Sequence, residues 1–511
     1  MRRAACTLFG LVWRVTTATA CAAAALPETP LVQAHYTRIS SAAEISAHLD
    51  ALVAASPLAR KEILGASVEQ RPLEALVLAS QTHRAHATPR PVLMLIGSQH
   101  GAAEPAGGEA MLSLAHALIA GDLRAVLDDL DVVLLPDANP DGRDHGRRSN
   151  ARHVNLNTDF VLLSQPESQA LVVALDRFRP LAVLDVHESA VLKRKTLARE
   201  GYLTDFDAQF EAANNPAMPH ALREYGLETL LPALIAAVSE GGLPAQRYMG
   251  EITSLHQPIT NGGPTLRNFR NLAGLHGAAS FLVETKLDSR ADAFASYRNI
   301  EVRVARSLAC QRAFVELMQA RREPLLAHVV AARVAAQKEA LTLHAAYVAD
   351  PDHPRVEVVL RRLATRAQER LSFADHRRLV GSDSIAMPAT YVVPQPSDQL
   401  RALLEHHGIH YERQSLALEL PVMADSFSAP QGVTGRVELQ SSSPRFLTTE
   451  AGALIVDLVQ PRGRLVPLLL DPRSISSVFR LPEFAAQLIP GREFGVYRVH
   501  KGVLRSAPAA E

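Results

Sequence analysis

Residues 91–109 read PVLMLIGSQHGAAEPAGGE, and this stretch decides the fold class. Its run of large apolar residues ends at Gly97, which predicts a buried strand that stops there. Pro105 and the small residues after it are typical of a helix first turn. A strand that leads directly into a helix is the repeating unit of an α/β sheet. His100 and Glu104 lie between the two elements, at the carboxyl end of the predicted strand.

The same pattern, an apolar run with a polar ending, occurs in three later segments. They read VVLLPDANPDGRDHGRRSN (132–150), LAVLDVHE (181–188) and SFLVETK (280–286). Helices are predicted between these strands at 108–120 and 167–178, and after the last strand at 297–321. Such alternation predicts a mixed, mostly parallel sheet flanked by helices. Ligands collect just past the carboxyl ends of such strands, where we find His100, Asn139, His187 and Glu284.

The chain has 511 residues, which is too many for one ordinary core. We predict a first domain at 30–325, a helical connector at 326–349 and a smaller β-rich C-terminal domain at 350–511. Leu465–Leu470 is one of the strands predicted in that last domain. Lys+Arg and Asp+Glu both number 53, so no bulk charge favours binding of nucleic acid or of an acidic membrane.

The N-terminus has the features of an export signal. Met1-Arg2-Arg3 is basic, residues 4–13 are largely apolar, and small residues continue through Ala25. We therefore predict a signal peptide at 1–25 and a periplasmic or secreted protein, the alternative being an unprocessed leader on a cytosolic one. A lipid anchor at Cys21 is the minority alternative, and no later apolar run reaches the roughly 18 residues of a membrane span.

The polar strand endings supply the residue types of a catalytic metal site. Two histidines and a carboxylate are the usual protein ligands of a catalytic zinc, and a further Glu and an Arg serve to activate water and to hold an oxyanion. Each residue also has a structural alternative. His100 is then a loop histidine satisfied by backbone, His187 pairs with Asp185 in the core, and Glu284 pairs with Lys286 or Arg290.

The order and local wording of these segments, over about residues 30–320, resemble the zinc metallocarboxypeptidase family, the carboxypeptidase A/B-like peptidases. The chain is similar to a divergent, bacterial-type member. The resemblance implies that His100, Glu104 and His187 hold one zinc ion per chain. It also implies that Glu284 is the general base and that Arg148 polarises the scissile carbonyl.

The chain departs from the family pattern at three places. Three residues rather than two separate His100 from Glu104, and Asn155 stands where the family has an aspartate that orients the first zinc histidine. In the family an asparagine is followed by an arginine, and this pair grips the terminal carboxylate of the substrate. The resemblance makes Asn157 and Thr158 the substrate-binding positions, with Thr158 in place of the arginine. Thr158 cannot make that charge-assisted contact. Arg267 is a candidate replacement, the alternative being a surface arginine of a helix.

The sequence therefore predicts a zinc-dependent hydrolase of the metallocarboxypeptidase type, acting on a peptide or acyl-amino-acid substrate. Thr158 keeps a second hypothesis open, a zinc amidase, deacylase or cell-wall peptide hydrolase. The three residues between His100 and Glu104, together with Asn155, keep a third hypothesis open, a non-catalytic binding protein that has retained the fold.

Overall fold

A computed structural model of the chain describes residues 26–80, 90–189, 197–287, 298–336, 339–429 and 435–499. The predicted signal peptide, with Cys6 and Cys21, lies outside these residues. Cys310 is described and is a buried, free thiol. Within the described ranges, no helix has the length and apolar character needed to cross a membrane.

An eight-stranded mixed sheet forms the centre of the first part of the chain, in the order β1-β2-β4-β3-β5-β9-β7-β8. The central strands β4, β3, β5 and β9 run parallel, and antiparallel pairs flank them. The predicted fold class is therefore confirmed. The strands are β1 Ala59–Ala66, β2 Pro72–Leu78, β3 Val92–Gly97, β4 Asp131–Leu135, β5 Ala182–Ser189, β6 Tyr202–Thr204, β7 Ala208–Ala212, β8 Ala245–Arg247 and β9 Ala279–Lys286; of these, β6 pairs outside the sheet.

Helices cover both faces of this sheet, and local sequence sets their ends. The Ser41 hydroxyl accepts from the Glu44 backbone N–H, and the Glu44 carboxylate accepts from the Ser41 backbone N–H. These two hydrogen bonds form a capping box at the start of a helix. The helices are α1 Pro30–Gln33, α2 Ala42–Ala55, α3 Ala106–Ala120, α4 Val126–Asp129, α5 Pro140–Asp144, α6 Pro166–Phe178, α7 His220–Glu224, α8 Leu231–Glu240, α9 Phe269–Leu275, α10 Ile300–Ala320 and α11 Arg322–Ala335.

The C-terminal part is rich in strands, as predicted, and forms three smaller sheets. It also contains two short helices, α12 Asp398–His406 and α13 Leu465–Leu470. Its strands are β10 Leu341–Val348, β11 Arg355–Arg362, β12 Gln368–Ala374, β13 Arg378–Ile385, β14 Thr390–Val393, β15 Glu412–Arg413, β16 Leu418–Phe427, β17 Leu439–Thr449, β18 Leu454–Asp457 and β19 Tyr497–Val499.

Two predictions for this part were wrong. The helical connector predicted through residue 349 ends at Ala335, and Leu341–Val348 is a strand paired with β13. Conversely, Leu465–Leu470 was predicted as a strand and is a fully buried helix. An apolar run of six residues has the same hydrophobic pattern in a buried strand and in a buried helix, so the pattern alone does not distinguish them.

The two parts of the chain share one hydrophobic core. A single cluster of buried side chains joins Phe160, Leu171 and Phe269 from the first part to Tyr391 and Leu404 from the second. Strand β11 also pairs with β6, which places part of the C-terminal region in a sheet with the first part. The β-rich region is thus packed against the rest of the molecule through continuous apolar contacts.

Three buried histidines make the stability of this core depend on pH. Burial lowers the pKa of His48 to about 4, of His276 to about 3 and of His407 to about 4. In the unfolded chain each returns to about 6.5, so between about pH 4 and 6.5 the unfolded state binds more protons than the native state. The stability they provide is present above about pH 6.5 and is lost as pH falls, by up to about 4 kcal/mol per pH unit for three groups.

We therefore expect the melting temperature to fall between pH 7 and pH 5, and His407→Gln to reduce that fall by removing one of these three contributions. Gln retains a donor for the Val161 carbonyl, which His407 Nε2 contacts at 2.9 Å. Melting curves at the two pH values, beside the control His353→Gln at a histidine that is 81% exposed, measure the effect. An equal fall in His407→Gln and wild type would contradict this assignment.

Candidate metal centre

The turn after β3 brings His100 and Glu104 together despite the extra residue between them. Gly101–Ala103 forms one turn of 3₁₀ helix, and His100 and Glu104 are the residues that flank it. Gly101 has φ +50°, and a Cβ at this position would lie 2.5 Å from the Gly142 backbone. Only glycine tolerates both conditions. The turn brings the two side chains together, with His100 Nδ1 2.7 Å from Glu104 Oε2.

His187 joins this pair from the neighbouring strand. It lies near the carboxyl end of β5, which pairs in parallel with β3. Its Nδ1 lies 3.0 Å from Glu104 Oε2 and 3.3 Å from His100 Nδ1. His187 is 1% exposed, and the side chains of His100 and Glu104 are each 4% exposed. The structure therefore brings the three predicted ligands together in one buried cluster.

The other nitrogen of each imidazole is held by an acceptor. His100 Nε2 lies 3.1 Å from Asn155 Oδ1, and His187 Nε2 lies 3.0 Å from Asp185 Oδ1. Gln99 Nε2 donates to the same Asp185 oxygen at 2.5 Å. Such outer partners fix the ring orientation and leave the Nδ1 lone pair directed at the cluster. Asn155 thus occupies the orienting position expected from the sequence, with a neutral amide in place of a carboxylate.

The charges in the cluster are strongly coupled. Burial opposes ionisation of Glu104, but the charges of His100 and Arg148 overcome it and hold the Glu104 pKa well below its usual range. Burial likewise opposes protonation of His187, but Asp185 and Glu104 raise its pKa well above the ordinary value. Without a metal, an anionic carboxylate thus lies among cations. A divalent cation placed at the same point would perform the same neutralisation.

These donors match the requirements of zinc. Tetrahedral ligands about 2.1 Å from zinc stand about 3.4 Å from one another, and the two Nδ1 atoms are 3.3 Å apart. The carboxylate oxygen lies closer to both because it contacts each ring at hydrogen-bond distance. Two nitrogens and one oxygen, with no thiolate, are the ligand set of zinc hydrolases rather than of structural zinc sites.

Arg148 lies at the mouth of this cluster. Its guanidinium pairs with Glu104 Oε1 and lies 3.1 Å from His100 Nε2. The side chain is 39% exposed, so a ligand arriving from solvent can reach it. Its neighbour Arg147 is exposed. Of these two arginines, Arg148 is the one whose guanidinium contacts the cluster.

Glu284 lies beside His187 on the next strand. The two residues are direct register partners in the parallel pair of β5 and β9, so their side chains lie on the same face of the sheet. Glu284 is half-buried, unlike the fully buried residues that precede it on the strand. The strand pairing therefore brings a second, more accessible carboxylate to the cluster.

Tyr248 lies across β7 from the end of β9, a placement that the sequence did not reveal. Its backbone N–H donates to Phe210 O at 2.8 Å, which extends the β7–β8 pairing by one residue. Strand β7 lies between this segment and β9. Burial, followed by the negative charges of Glu284, Glu251 and Glu104, raises the pKa of its phenol. A tyrosine after a three-residue edge strand has no distinctive local pattern, and strand pairing alone reveals its place.

The residues expected to grip a substrate carboxylate are arranged differently. Asn157 Nδ2 lies 3.3 Å from His187 Nε2, and its Oδ1 accepts from the Phe269 backbone at 3.1 Å. Thr158 is exposed and donates to Asn155 O at 2.8 Å. Arg267 is exposed just before α9, and no described residue of the cluster contacts it. The side-chain oxygen of Asn157 is thus already bonded, and neither Thr158 nor Arg267 forms a described hydrogen bond with His100, Glu104 or His187.

A buried ion pair fixes the strand that carries His187. The Arg303 guanidinium on α10 binds both oxygens of Glu188, at 2.7 and 2.9 Å. Glu188 also accepts from the Ala106 backbone, at the start of α3. Both side chains are almost fully buried. Sequence analysis missed this pair because 115 residues separate the two partners.

The C-terminal part supports one wall of the site. Tyr347 on β10 donates to Gly262 O at 2.8 Å and accepts from Asn214 at 2.9 Å. The β11–β12 hairpin packs through Val358 and Phe373 onto the segment that follows Tyr248. The loop between β8 and α9 is therefore held on one side by residues of the C-terminal part.

Comparison with known proteins gives a consistent result for the first part of the chain. Residues 45–174 match the sequence model of a family described as zinc carboxypeptidase. This segment includes His100, Glu104 and Arg148 and ends before His187 and Glu284. The arrangement of the last two residues therefore rests on the structure.

Relatives and solved structures carry similar names. "Probable carboxypeptidase 2" of Trichophyton verrucosum is 29% identical over 196 residues, which are 38% of each chain. Carboxypeptidase SOL1 of Arabidopsis thaliana is 28% identical over 152 residues, 27% of this chain and 30% of that protein. A metallo-carboxypeptidase from Burkholderia cenocepacia aligns with TM-score 0.42 and 20% identity, over 54% of this chain and 69% of the other. The chain thus spans about two fifths of the length of the fungal relative.

Proposed function

We propose that this chain, which carries a domain of the zinc carboxypeptidase family, is a zinc-dependent hydrolase of peptide or amide bonds. The observation that carries the proposal is the convergence of His100 Nδ1, His187 Nδ1 and Glu104 Oε2 in one buried cluster. Those three residues would hold one zinc ion. When bound, zinc supplies Lewis acidity and lowers the pKa of a water molecule.

The protein groups around the cluster have complementary roles in this proposal. Glu284 accepts a proton from the attacking water and delivers it to the leaving amine, as a general base and then a general acid. Arg148 donates hydrogen bonds to the scissile carbonyl oxygen as negative charge develops on it. Asn155 and Asp185 hold the two imidazole rings in place. Asn157 braces the site through the hydrogen bond that its Oδ1 accepts from the Phe269 backbone.

A second candidate function is supported by Thr158. An arginine at this position would bind a terminal carboxylate through two charge-assisted hydrogen bonds, whereas Thr158 offers one neutral hydroxyl that already bonds Asn155 O. A site without that cation has little reason to require a free C-terminus. Hydrolysis of an internal amide, of a blocked peptide or of a cell-wall peptide is therefore the alternative within the same chemistry.

We expect the protein to cleave a peptide with a free C-terminal carboxylate and the matching C-terminal amide with kcat/KM values within about tenfold. The reason is that an exposed Thr158 cannot discriminate strongly between the two. Steady-state kinetics on the matched pair, with and without a zinc chelator, measure this. Thr158→Arg should shift the preference toward the free carboxylate by tenfold or more, with Thr158→Ser as the control. A preference of about 10³-fold in the wild type would instead assign carboxylate recognition to another residue, with Arg267 the first to substitute.

We further propose that the protein is exported to the periplasm or secreted. The basic start, apolar stretch and small residues of 1–25 support this, and the mass of the mature chain tests it.

A further inference from the structure

A cavity lies near the amino ends of β5 and β9, at the opposite edge of the sheet from the metal cluster. Its volume is about 450 Å³, which is within the range of small-molecule sites. Arg179 and His276 on its wall each stand three residues before a strand, β5 and β9 respectively. His187 lies about 17 Å further along β5, at the other end, by the usual rise of a strand. The cavity is therefore separate from the proposed catalytic site.

The cavity is formed jointly by the two parts of the chain. The first part contributes the ends of α6, α9 and α11, and the C-terminal part contributes the turns after α12 and before α13. The ionisable side chains on its wall are Asp176, Arg179, His276, Arg333, His410 and Arg462.

These side chains give the cavity an excess of positive charge. Asp176 is the one carboxylate among them, and Arg462 pairs with it. Arg333 donates to Arg179 O and Pro180 O, so helix-end carbonyls account for part of its placement. No described residue forms a hydrogen bond or ion pair with the guanidinium of Arg179 or with the imidazole of His410.

Two of these arginines, Arg333 and Arg462, are partly buried, and burial disfavours their charged form. Burial, and then the charge of Arg179, lowers the pKa of Arg333, whose guanidinium lies 3.1 Å from the Arg179 carbonyl oxygen. Burial also lowers the pKa of Arg462 to about 10. Like charges facing one cavity destabilise the protein unless an anion lies between them.

A buried imidazole adds an unused hydrogen-bonding group. His276 has a side chain only 3% exposed, and neither ring nitrogen has a hydrogen-bond partner. Asp176, the acceptor at its side, lies 3.7 Å away, beyond hydrogen-bond distance. An unpaired buried polar group of this kind costs about 1–3 kcal/mol, which a ligand that bonds it would recover.

From the cavity, its excess of cations and this unpaired histidine, we propose a binding site for a small oxyanion with two or more negative charges. Phosphoryl and carboxylate groups share this chemistry, since both offer several acceptor oxygens to guanidinium donors. The ligand would contact Arg179, Arg333 and His276 from the first part and His410 from the C-terminal part. Its binding would therefore link the two parts of the molecule.

Titration calorimetry with inorganic phosphate and with succinate, at constant ionic strength, tests the proposal. We expect saturable binding of at least one anion to wild type with one site per chain. The double variant Arg179→Gln/His410→Gln, at two exposed residues, should weaken that binding at least tenfold. Arg177→Gln is the matched control, because it removes the same charge from the same helix outside the cavity and should leave binding unchanged.

Each outcome has a defined meaning. Binding of phosphate alone identifies a phosphoryl ligand, and binding of succinate alone identifies a carboxylate ligand. Equal affinity in wild type and in the double variant would locate the anion elsewhere, including at the metal cluster, and would overturn the proposal. Absence of saturable binding for both anions would overturn it as well.

Discussion

Glu284→Gln is expected to lower kcat by about 10³-fold while leaving zinc content unchanged. General acid–base catalysis contributes roughly 10²–10⁴-fold to such reactions. The substitution keeps the size of the side chain and removes its ability to accept a proton. Glu284 is not among the atoms that converge on the cluster, so zinc should remain bound.

The position of Glu284 on its strand explains why the effect should be large. It is the register partner of His187, and the parallel pairing fixes the spacing of the two backbones. No other strand in the described part of the chain places a carboxylate directly beside His187 on this face. A base held by a central strand has few alternatives that could replace it when it is removed.

The measurement is single-turnover and steady-state hydrolysis of one peptide by both proteins, with zinc quantified in each sample. Glu240→Gln, at an exposed position near the end of α8, is the matched control and should retain wild-type kinetics. Retention of more than about a tenth of the wild-type kcat by Glu284→Gln would remove Glu284 from the base role.

The parts of the site that sequence analysis could predict are those encoded locally. His100 and Glu104 follow a strand signal, and the small residues between them allow the 3₁₀ turn that brings them together. His187 and Glu284 end apolar runs, and the rule that strand ends meet at one edge of a parallel sheet brings them to the same place. Chain-local patterns and one rule of sheet topology therefore predict that these residues lie at one edge of the sheet, and the resemblance to a known family assigns the three ligands among them.

The parts that could not be predicted depend on contacts between distant segments. The placement of Tyr248 depends on the order of strands β7, β8 and β9. The Glu188–Arg303 pair and the Tyr347 contact with Gly262 join segments 115 and 85 residues apart. The same limit applies to the contact of Asn157 with the Phe269 backbone, which joins segments 112 residues apart.

His187→Ala is expected to reduce zinc from about one ion per chain to nearly none and to abolish hydrolysis. His187 provides one of three converging ligand atoms, and a site with two protein ligands falls below the set that holds a catalytic zinc. The loss should exceed that of Glu284→Gln, because both the metal and the geometry around Glu104 depend on this ring.

Removal of the imidazole also leaves Asp185 and Glu104 with fewer partners in a buried place, which destabilises the fold by up to several kcal/mol. Circular dichroism must therefore show a folded variant before its metal is counted. Asn155→Ala is a second variant that leaves the three ligand atoms in place and removes an oxygen that accepts from the Asn157 backbone and lies 3.1 Å from His100 Nε2. It should weaken zinc affinity by about 10–100-fold without abolishing binding.

Elemental analysis of wild type, both variants and the exposed-site control His353→Ala completes the experiment. The order of zinc content should be wild type equal to His353→Ala, then Asn155→Ala, then His187→Ala. A folded His187→Ala that keeps a full zinc ion would place the metal elsewhere. A wild type that binds no zinc even when it is supplied would leave a binding protein that has retained the fold, because the remaining carboxylate and arginine have no metal-activated water on which to act.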